Sequence, residues 1–410
     1  MIKPQPTDDS RTAMEKKTRF DLIFAALIVV GVGAFIVGVM GRDPGRAWQA
    51  YLINFLLWSA IAQGGLLFST MMTTTRARWS GPLSGLAEAF AGFFPVSFVL
   101  FLILFFGAAH IFPWLHSHEL HGKEVWLNLP FLFIRDGIGL LVLYGLGFAY
   151  LYYSLLLKAG PDESPGAVRS LFNRLHGSRR HNPERIRQRK GQFSILYMLA
   201  FALVLSLIGY DLIMSSDPHW ISTLFGAYTF VKAIYVGLGG LIIMAAVMHL
   251  YPGNDFRLDD AHFHDVGKLF LAFCLVWADF FYVQLVVIWY GNIPEETAYV
   301  IERTMAVPWR YLAWSIFTVC FVLPFFILLN KKVKTMPKFM ILLCVCIITG
   351  IWFEHLLLLG PAFHPTTHVL PLAFSDILIS LGFMGLMLAA VSFSFRQFPE
   401  LARIDNGEVR

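Results

Sequence analysis

Charged residues are scarce in this chain of 410 residues. Asp, Glu, Lys and Arg make up 14% of the sequence, whereas hydrophobic residues make up 57% and the mean hydropathy is +0.63. A soluble domain carries roughly 25% charged residues, so this composition excludes an ordinary water-soluble protein. The net charge is only +5, and few aromatic residues lie among the basic ones, which argues against nucleic-acid binding. The chain is therefore expected to lie in a membrane.

Cysteine is also rare, and the few that exist lie inside apolar stretches. There are four, namely Cys274, Cys320, Cys344 and Cys346. Zinc and iron–sulfur sites need clustered thiolates, and covalently attached haem needs a CxxCH motif, which this sequence lacks. The histidine-containing stretch HSHELH (116–121) is expected to be a solvated loop. We predict core packing for the cysteines, no metal site and no covalently bound cofactor.

Long apolar runs dominate the rest of the sequence. A stretch of about 20 apolar residues is long enough to cross a bilayer as an α-helix. The sequence predicts ten such spans, near residues 20–40, 48–70, 87–112, 129–157, 192–214, 224–250, 266–290, 310–330, 337–357 and 373–394. The first span is too long for a signal-peptide core, so we interpret it as a retained helix. The predicted fold is an all-α integral membrane protein.

The basic residues are divided unevenly between the two sides of these spans. Of the 32 Lys and Arg residues, 24 fall on the side that holds both termini, and five fall on the opposite side. Cytoplasmic segments carry the excess of Lys and Arg, so both termini are predicted to be cytoplasmic. The predicted parts are an N-terminal tail (1–19), a ten-helix domain (20–394) with a basic cytoplasmic loop (158–191), and a C-terminal tail (395–410).

A weak internal repeat relates two halves of the membrane domain. The stretches QGG (63–65) and LGG (238–240) are 175 residues apart, and the same offset relates Trp114 to Trp289 and Arg135 to Arg310. An offset of four helices preserves direction across the membrane, as in the parallel repeats of transport proteins. The repeat predicts two four-helix bundles, spans 2–5 and spans 6–9, with peripheral helices beside them.

Several ionisable residues lie within the predicted spans. Such residues generally face the bundle interior, where they pair with each other or line water. Three interpretations remain open: a structural network, for instance Arg135 with Asp136; a proton path; or a quinone pocket near the outer interface. The candidates for a proton path are Arg135, Asp136, Lys232, Asp279, Asp376, Glu88 and His249, and those for an outer, quinone-side polar group are Glu354, His355 and Gln284.

Asp279 is the most unusual member of this set. It lies near the middle of span 7, where a carboxylate costs about 2.5–3.5 kcal/mol on insertion scales. The sequence places it in the same half of the membrane as Lys232 and Arg135, so we expect these three residues to be possible partners.

Four stretches of the sequence, at residues 47–69, 87–114, 212–228 and 264–297, have long and specific patterns. They resemble the membrane subunits of bacterial alternative complex III, a quinol:cytochrome c oxidoreductase. The resemblance covers about residues 45–395 and is greatest to the ActF type of subunit, in the NrfD-like (polysulfide reductase membrane subunit) family. The family pattern has tyrosine at the position of Asp279, so the resemblance assigns no essential role to its charge. The matching stretches are AWQAYLINFLLWSAIAQGGLLFS (47–69), AEAFAGFFPVSFVLFLILFFGAAHIFPW (87–114), LIMSSDPHWISTLFGAY (212–228) and HDVGKLFLAFCLVWADFFYVQLVVIWYGNIPEET (264–297).

This resemblance implies a role in quinol oxidation within the bacterial inner membrane. The implied partners are a paralogous ten-helix subunit, a multihaem cytochrome c, an iron–sulfur subunit and small membrane subunits. Haem and iron–sulfur clusters would lie on those partners, with quinol or menaquinol bound in the complex. The expected role of this chain is assembly and proton translocation; a quinone-binding anchor of another redox complex, a pure scaffold and a secondary transporter are the alternatives.

Overall fold

The computed structural model describes residues 8–116, 122–158, 168–170, 174, 182–252, 256–364 and 369–403, with side chains from residue 19 onward. Within these ranges all regular secondary structure is helical. HSHELH after its first histidine, much of the basic loop and the ends of both tails lie outside the described residues.

Ten of the described helices are long and apolar enough to cross a membrane, which confirms the predicted fold class. We number them after the predicted spans. They are α1 (Asp8–Val39), α2 (Pro44–Thr75), α3 (Arg78–Ile111), α4 (Leu129–Lys158), α5 (Pro183–Leu212), α6 (Phe225–Leu250), α7 (Asp260–Gly291), α8 (Trp309–Leu329), α9 (Pro337–Phe363) and α10 (Phe374–Gln397). Because ten spans are an even number, both ends of the membrane domain lie on one side, hereafter the terminal side.

Helices α2–α5 form one four-helix bundle and α6–α9 form a second one. In each bundle, consecutive helices pack together and the last helix returns to contact the first. The bundles meet mainly where α2 packs along α6, while α2 also contacts α9 and α6 also contacts α5. These paired contacts are what a twofold repeat requires. Helices α1 and α10 pack on each other at the periphery.

The arrangement of the helices follows the repeat, but the burial of the matched side chains does not. Trp114 is buried at 3% exposure, whereas Trp289 is 73% exposed, although the two were matched in the sequence. Arg135 is largely buried in an ion pair, whereas Arg310 is exposed. The two halves therefore share an arrangement of helices and have diverged at these two pairs of positions.

The interface between the bundles depends on glycine. An ideal Cβ atom on Gly64 of α2 would lie 2.0 Å from the carbonyl oxygen of Ala233 on α6, and one on Gly237 would lie 2.4 Å from the backbone of Gly64. No side chain fits at such distances, so the two backbones touch directly. Gly64 of the QGG stretch and Gly237, which directly precedes the LGG stretch, therefore permit close helix packing.

A π-helical turn interrupts α8 at Thr318–Val322, just before Pro324. Proline lacks the N–H group that would bind the carbonyl four residues earlier, which belongs to Cys320. That carbonyl accepts a hydrogen bond from the Tyr235 hydroxyl instead, at 3.0 Å. Cys274, Cys320 and Cys344 are buried in this bundle, as predicted; Cys346 is exposed on the outside of α9.

Candidate functional site

A buried ion pair lies inside the second bundle. Lys232 of α6 and Glu354 of α9 are 3% and 1% exposed, and their Nζ and Oε1 atoms are 3.3 Å apart. The Tyr228 hydroxyl donates a short hydrogen bond to the same carboxylate oxygen. The other oxygen, Oε2, makes no well-formed hydrogen bond within the described residues, although the indole N–H of buried Trp277 lies close to this carboxylate. Glu354 thus keeps an oxygen that can take up a proton.

Aromatic and cationic side chains lie between the Lys232–Glu354 pair and the side of the membrane opposite the termini. Trp220 and Tyr299 stack with ring centroids 3.7 Å apart, and the guanidinium of Arg303 lies 3.4 Å from the centre of the Tyr299 ring. Arg303 also donates to the carbonyl of Leu358 at 3.0 Å. Burial raises the pKa of Tyr299 to about 12, and Arg303 opposes this shift. Tyr299 is therefore a neutral packing surface at physiological pH.

A small cavity connects the ion pair to the first bundle. It has a volume of about 30 Å³, enough for one or two water molecules. Its polar lining comes from both bundles: Lys232, Thr229 and His355 on one side, and Gln63 and Ser59 on the other. His355 is buried, and its Nδ1 donates to the carbonyl of Ile351 at 2.9 Å, which leaves Nε2 free of that bond. Most of the other lining residues, such as Phe55, Leu140 and Ile208, are apolar, so a water molecule between the two bundles would depend on these few polar groups.

A chain of hydrogen bonds runs through the first bundle beside the cavity, and its two ends, Gln63 and Ser59, both line the cavity. The Gln63 side-chain amide donates to the Tyr144 hydroxyl at 2.8 Å. That hydroxyl lies 2.7 Å from Ser97 Oγ, which in turn lies 2.6 Å from Ser59 Oγ. All four side chains are buried. Hydroxyl groups can both donate and accept, so this chain can relay a proton.

An apolar layer interrupts the polar chain on its way to the terminal side. Along α2, the next buried polar side chain after Gln63 on this path is Ser69, about 9 Å away along the helix axis. Leu66, Phe94 and Tyr197 surround Gly147 at this level, and an added Cβ there would meet all three side chains. The layer separates two polar clusters.

The second cluster surrounds Glu88 near the terminal side. Glu88 is fully buried and accepts hydrogen bonds from Ser69 at 2.9 Å, Ser154 at 2.7 Å and Lys158 at 2.7 Å, with Lys190 3.7 Å away. The lysine side chains are 18% and 15% exposed, so they extend from the carboxylate towards solvent. Glu88 is therefore the most deeply buried point of a polar entrance on the terminal side.

A third polar group lies where α4 begins and α5 ends, on the side opposite the termini. Arg135 makes a bidentate pair with Asp211, with distances of 2.6 Å and 2.5 Å, and Trp126 Nε1 donates to the same carboxylate at 2.9 Å. The expected pairing of Arg135 with Asp136 is therefore wrong: adjacent helical residues point to different faces. Asp136 is fully buried beside Asp211. No N–H or O–H donor among the described residues binds its oxygens, but the two carboxyl groups are close enough to share a hydrogen bond when one of them carries a proton. Leu140, one turn further along α4, lines the cavity.

The remaining sequence candidates lie outside these clusters. Asp279 is exposed on the outer face of α7, so the expected contacts with Lys232 and Arg135 are wrong. Asp376 accepts from the backbone N–H of Ala373 and pairs with Arg46 at 3.1 Å, as a helix cap near the membrane surface. His249 Nδ1 accepts from the backbone N–H of Leu258, which fixes the α6–α7 connection. Gln284 is partly exposed on α7.

Sequence reasoning missed two kinds of partner. Asp211 lies near the end of span 5 and is a charged residue in a long apolar run, a signal that could have been used. The Tyr and Ser residues of the first bundle gave no such signal, because single hydroxyl groups are common in membrane helices. Glu354 and His355 were assigned to an outer, quinone-side group, whereas both are buried in the bundle interior.

No family model and no curated protein matches this chain. The described residues also contain no group of three or more His, Cys, Asp or Glu side chains placed to hold a metal ion. The geometry of the three polar clusters therefore carries the functional argument.

Proposed function

We propose that this chain is the proton-conducting membrane subunit of a quinol:acceptor oxidoreductase of the alternative complex III type. Two observations support the redox part: the four sequence stretches described above, and the arrangement of ten helices as two four-helix bundles with a peripheral pair, which is the fold that this resemblance implies. The partners would supply haem, iron–sulfur clusters and the quinol site. The membrane would be the bacterial inner membrane, with both termini in the cytoplasm.

One observation carries the proton part: the polar clusters follow one another across both bundles. Glu354 and Lys232 lie nearer one side, the cavity and Gln63 lie centrally, and Glu88 lies nearer the terminal side. A pure scaffold needs only local pairs that fix helix register. A sequence of buried groups that reach from one side towards the other is what proton transfer requires.

The residues would have different roles in this path. Glu354 accepts and releases the proton, and Lys232 stabilises its ionised form at 3.3 Å. Tyr144 and its serine neighbours relay the proton by exchanging donor and acceptor roles. The apolar layer at Leu66 blocks continuous leakage, so passage through it would depend on transient water.

The quinone-pocket alternative has less support at this place. Ligand pockets for molecules of that size usually have volumes of about 300–1,000 Å³. The inter-bundle cavity, at about 30 Å³, is too small for a quinone ring. Quinol would therefore bind elsewhere in the complex.

The test starts with the intact complex, purified from native membranes through an affinity tag on this chain. Co-purification of a multihaem cytochrome and an iron–sulfur protein, with quinol oxidation, is the expected result. If neither redox protein accompanies the chain, the proposed complex is excluded. The complex is then reconstituted in vesicles that contain a pH-sensitive dye.

The Glu354→Gln variant should reduce proton translocation per quinol oxidised by at least about tenfold. Glu184→Gln, which changes an exposed carboxylate at the start of α5, is the matched control and should behave like the unmodified complex. Proton translocation at the normal ratio in Glu354→Gln would disprove the path. Leu66→Asn should increase passive proton leakage, because it places a polar side chain in the apolar layer.

A further inference from the structure

Asp279 has a position that the proton path does not explain. It lies on the exposed face of α7, while Cys274, Trp277 and Ala278 on the other face are buried. Only 22% of the residues in the most apolar part of α7 are buried within this chain, so the face that carries Asp279 is left uncovered. An acidic side chain therefore projects outwards from the second bundle.

The depth of Asp279 follows from the end of the same helix. Trp289 and Tyr290 are 73% and 85% exposed, and aromatic residues of this kind mark the interface between membrane and water. Asp279 lies ten residues before Trp289, about 15 Å along the helix axis. The hydrocarbon core of a bilayer is about 30 Å thick, so Asp279 lies near its middle.

Nothing in the described part of the chain neutralises this carboxylate. No hydrogen bond or ion pair joins Asp279 to any described residue. A side chain at the bilayer centre is too short to reach water from there. Exposure to lipid is unfavourable for a carboxylate, and intramembrane acids almost always face protein or water. The face is therefore stable only when another molecule covers it.

The residues around Asp279 form a surface suited to a helix. Ala272, Leu275, Asp279 and Tyr282 follow one another at spacings of three and four residues, so they form one stripe along α7, and all four are exposed. Small Ala272 permits close approach of a second backbone, and Tyr282 adds a hydroxyl group one turn from the acid. We call these four residues the Asp279 stripe.

We propose that the Asp279 stripe binds a transmembrane helix of a different subunit, and that this helix places a Lys or Arg side chain against Asp279. Charge complementarity selects this occupant: a carboxylate in hydrocarbon is best neutralised by a cation with N–H donors. A second copy of this chain is disfavoured, because a twofold contact across the stripe would place two Asp279 carboxylates together. The inference stands independently of the proton path.

Site-specific photocrosslinking in native membranes tests the identity of the occupant. A photoreactive phenylalanine analogue replaces Tyr282, and the control replaces Leu203, which is 73% exposed on α5. The expected product at position 282 joins this chain to an apolar peptide of another protein that contains Lys or Arg, as shown by mass spectrometry. Crosslinks only to a second copy of this chain, or only to lipid, would overturn the proposal.

Two variants test the charge. Asp279→Leu should reduce co-purification of the crosslinked partner by at least about tenfold, because the partner's cation loses its counter-charge. Leucine suits lipid better than aspartate does, so the variant chain itself should still elute as a folded species in gel filtration. Asp260→Asn, at the exposed start of α7, is the matched control and should retain the partner.

A charge exchange completes the test. Asp279→Lys should lose the partner, and a second substitution of the identified partner cation to Asp should restore binding. Full retention of the partner by both Asp279→Leu and Asp279→Lys would show that the carboxylate makes no contact with a cation.

Discussion

Lys232 Nζ lies 3.3 Å from Glu354 Oε1, although 122 positions separate the two residues in the chain. Both side chains are almost fully buried, so each charge depends on the other for compensation. The pair joins α6 to α9 and lies beside the cavity between the two bundles. It is thus both a stabilising contact and the centre of the proposed path.

The first prediction concerns this pair. Lys232→Met should destabilise the folded chain by about 3 kcal/mol, because it leaves the Glu354 carboxylate buried without its cation. The double variant Lys232→Met with Glu354→Gln should recover part of this loss. Reversible unfolding in mixed micelles measures the free energy of unfolding of the unmodified protein, of the single variant and of the double variant. Equal destabilisation in the single and double variants would show that the two charges are not coupled.

The second prediction separates two neighbouring acids. Asp211→Asn should destabilise the protein by about 2–4 kcal/mol, since Asp211 is buried and bound by Arg135 and Trp126. Asp136→Asn should cost less than about 1 kcal/mol, because no described residue donates a hydrogen bond to Asp136 and the asparagine amide can donate to Asp211 beside it. The measurement is the unfolding free energy of each variant. A larger loss of stability in Asp136→Asn than in Asp211→Asn would instead support the pairing of Arg135 with Asp136 that the sequence suggested.

The third prediction concerns the contact between the bundles. Gly64→Ala should destabilise the protein by at least about 2 kcal/mol, because its Cβ would lie 2.0 Å from the Ala233 carbonyl oxygen. Gly145→Ala on α4 is the control: nothing lies within 4 Å of its added Cβ. Alanine there should stabilise the helix by about 0.5–1 kcal/mol. The amount of folded protein and its unfolding free energy in micelles provide the comparison.

The fourth prediction concerns pH. His364 lies outside the spanning helices, and its Nε2 is 3.1 Å from Gln49 Oε1. Burial chiefly lowers the pKa of His364 below 6.5, with Asp43 opposing and Arg46 adding to the shift. The unfolded chain therefore binds this proton at a higher pH than the folded chain does. Stability should fall as the pH drops below about 6.5, until the folded pKa is reached.

The variant His364→Asn should remove this part of the pH dependence. His116→Asn, at an exposed position in the α3–α4 connection, controls for the loss of an imidazole as such. Unfolding midpoints between pH 5 and 8 check the expectation. If the unfolding midpoint of His364→Asn depends on pH as it does in the unmodified protein, other groups cause the acid sensitivity.

The amino-acid sequence by itself determined the class of fold and the number of spans. Length and apolar composition suffice for this, because each span must satisfy its backbone hydrogen bonds within its own helix. The sequence also determined that the two halves run in the same direction across the membrane, since an offset of four helices preserves the orientation of each helix. The QGG stretch marked the repeat in the sequence, and the structure shows that its Gly64 lies where α2 and α6 touch.

Only the tertiary structure decided which charges meet. Arg135 pairs with Asp211 across two helices, Lys232 pairs with Glu354 across another two, and Asp279 faces outwards. In a helix that is apolar all round, hydrophobic periodicity does not reveal which face is buried. The rotation of each helix is set by packing against its neighbours, so partners of intramembrane charges emerge only when the bundles assemble.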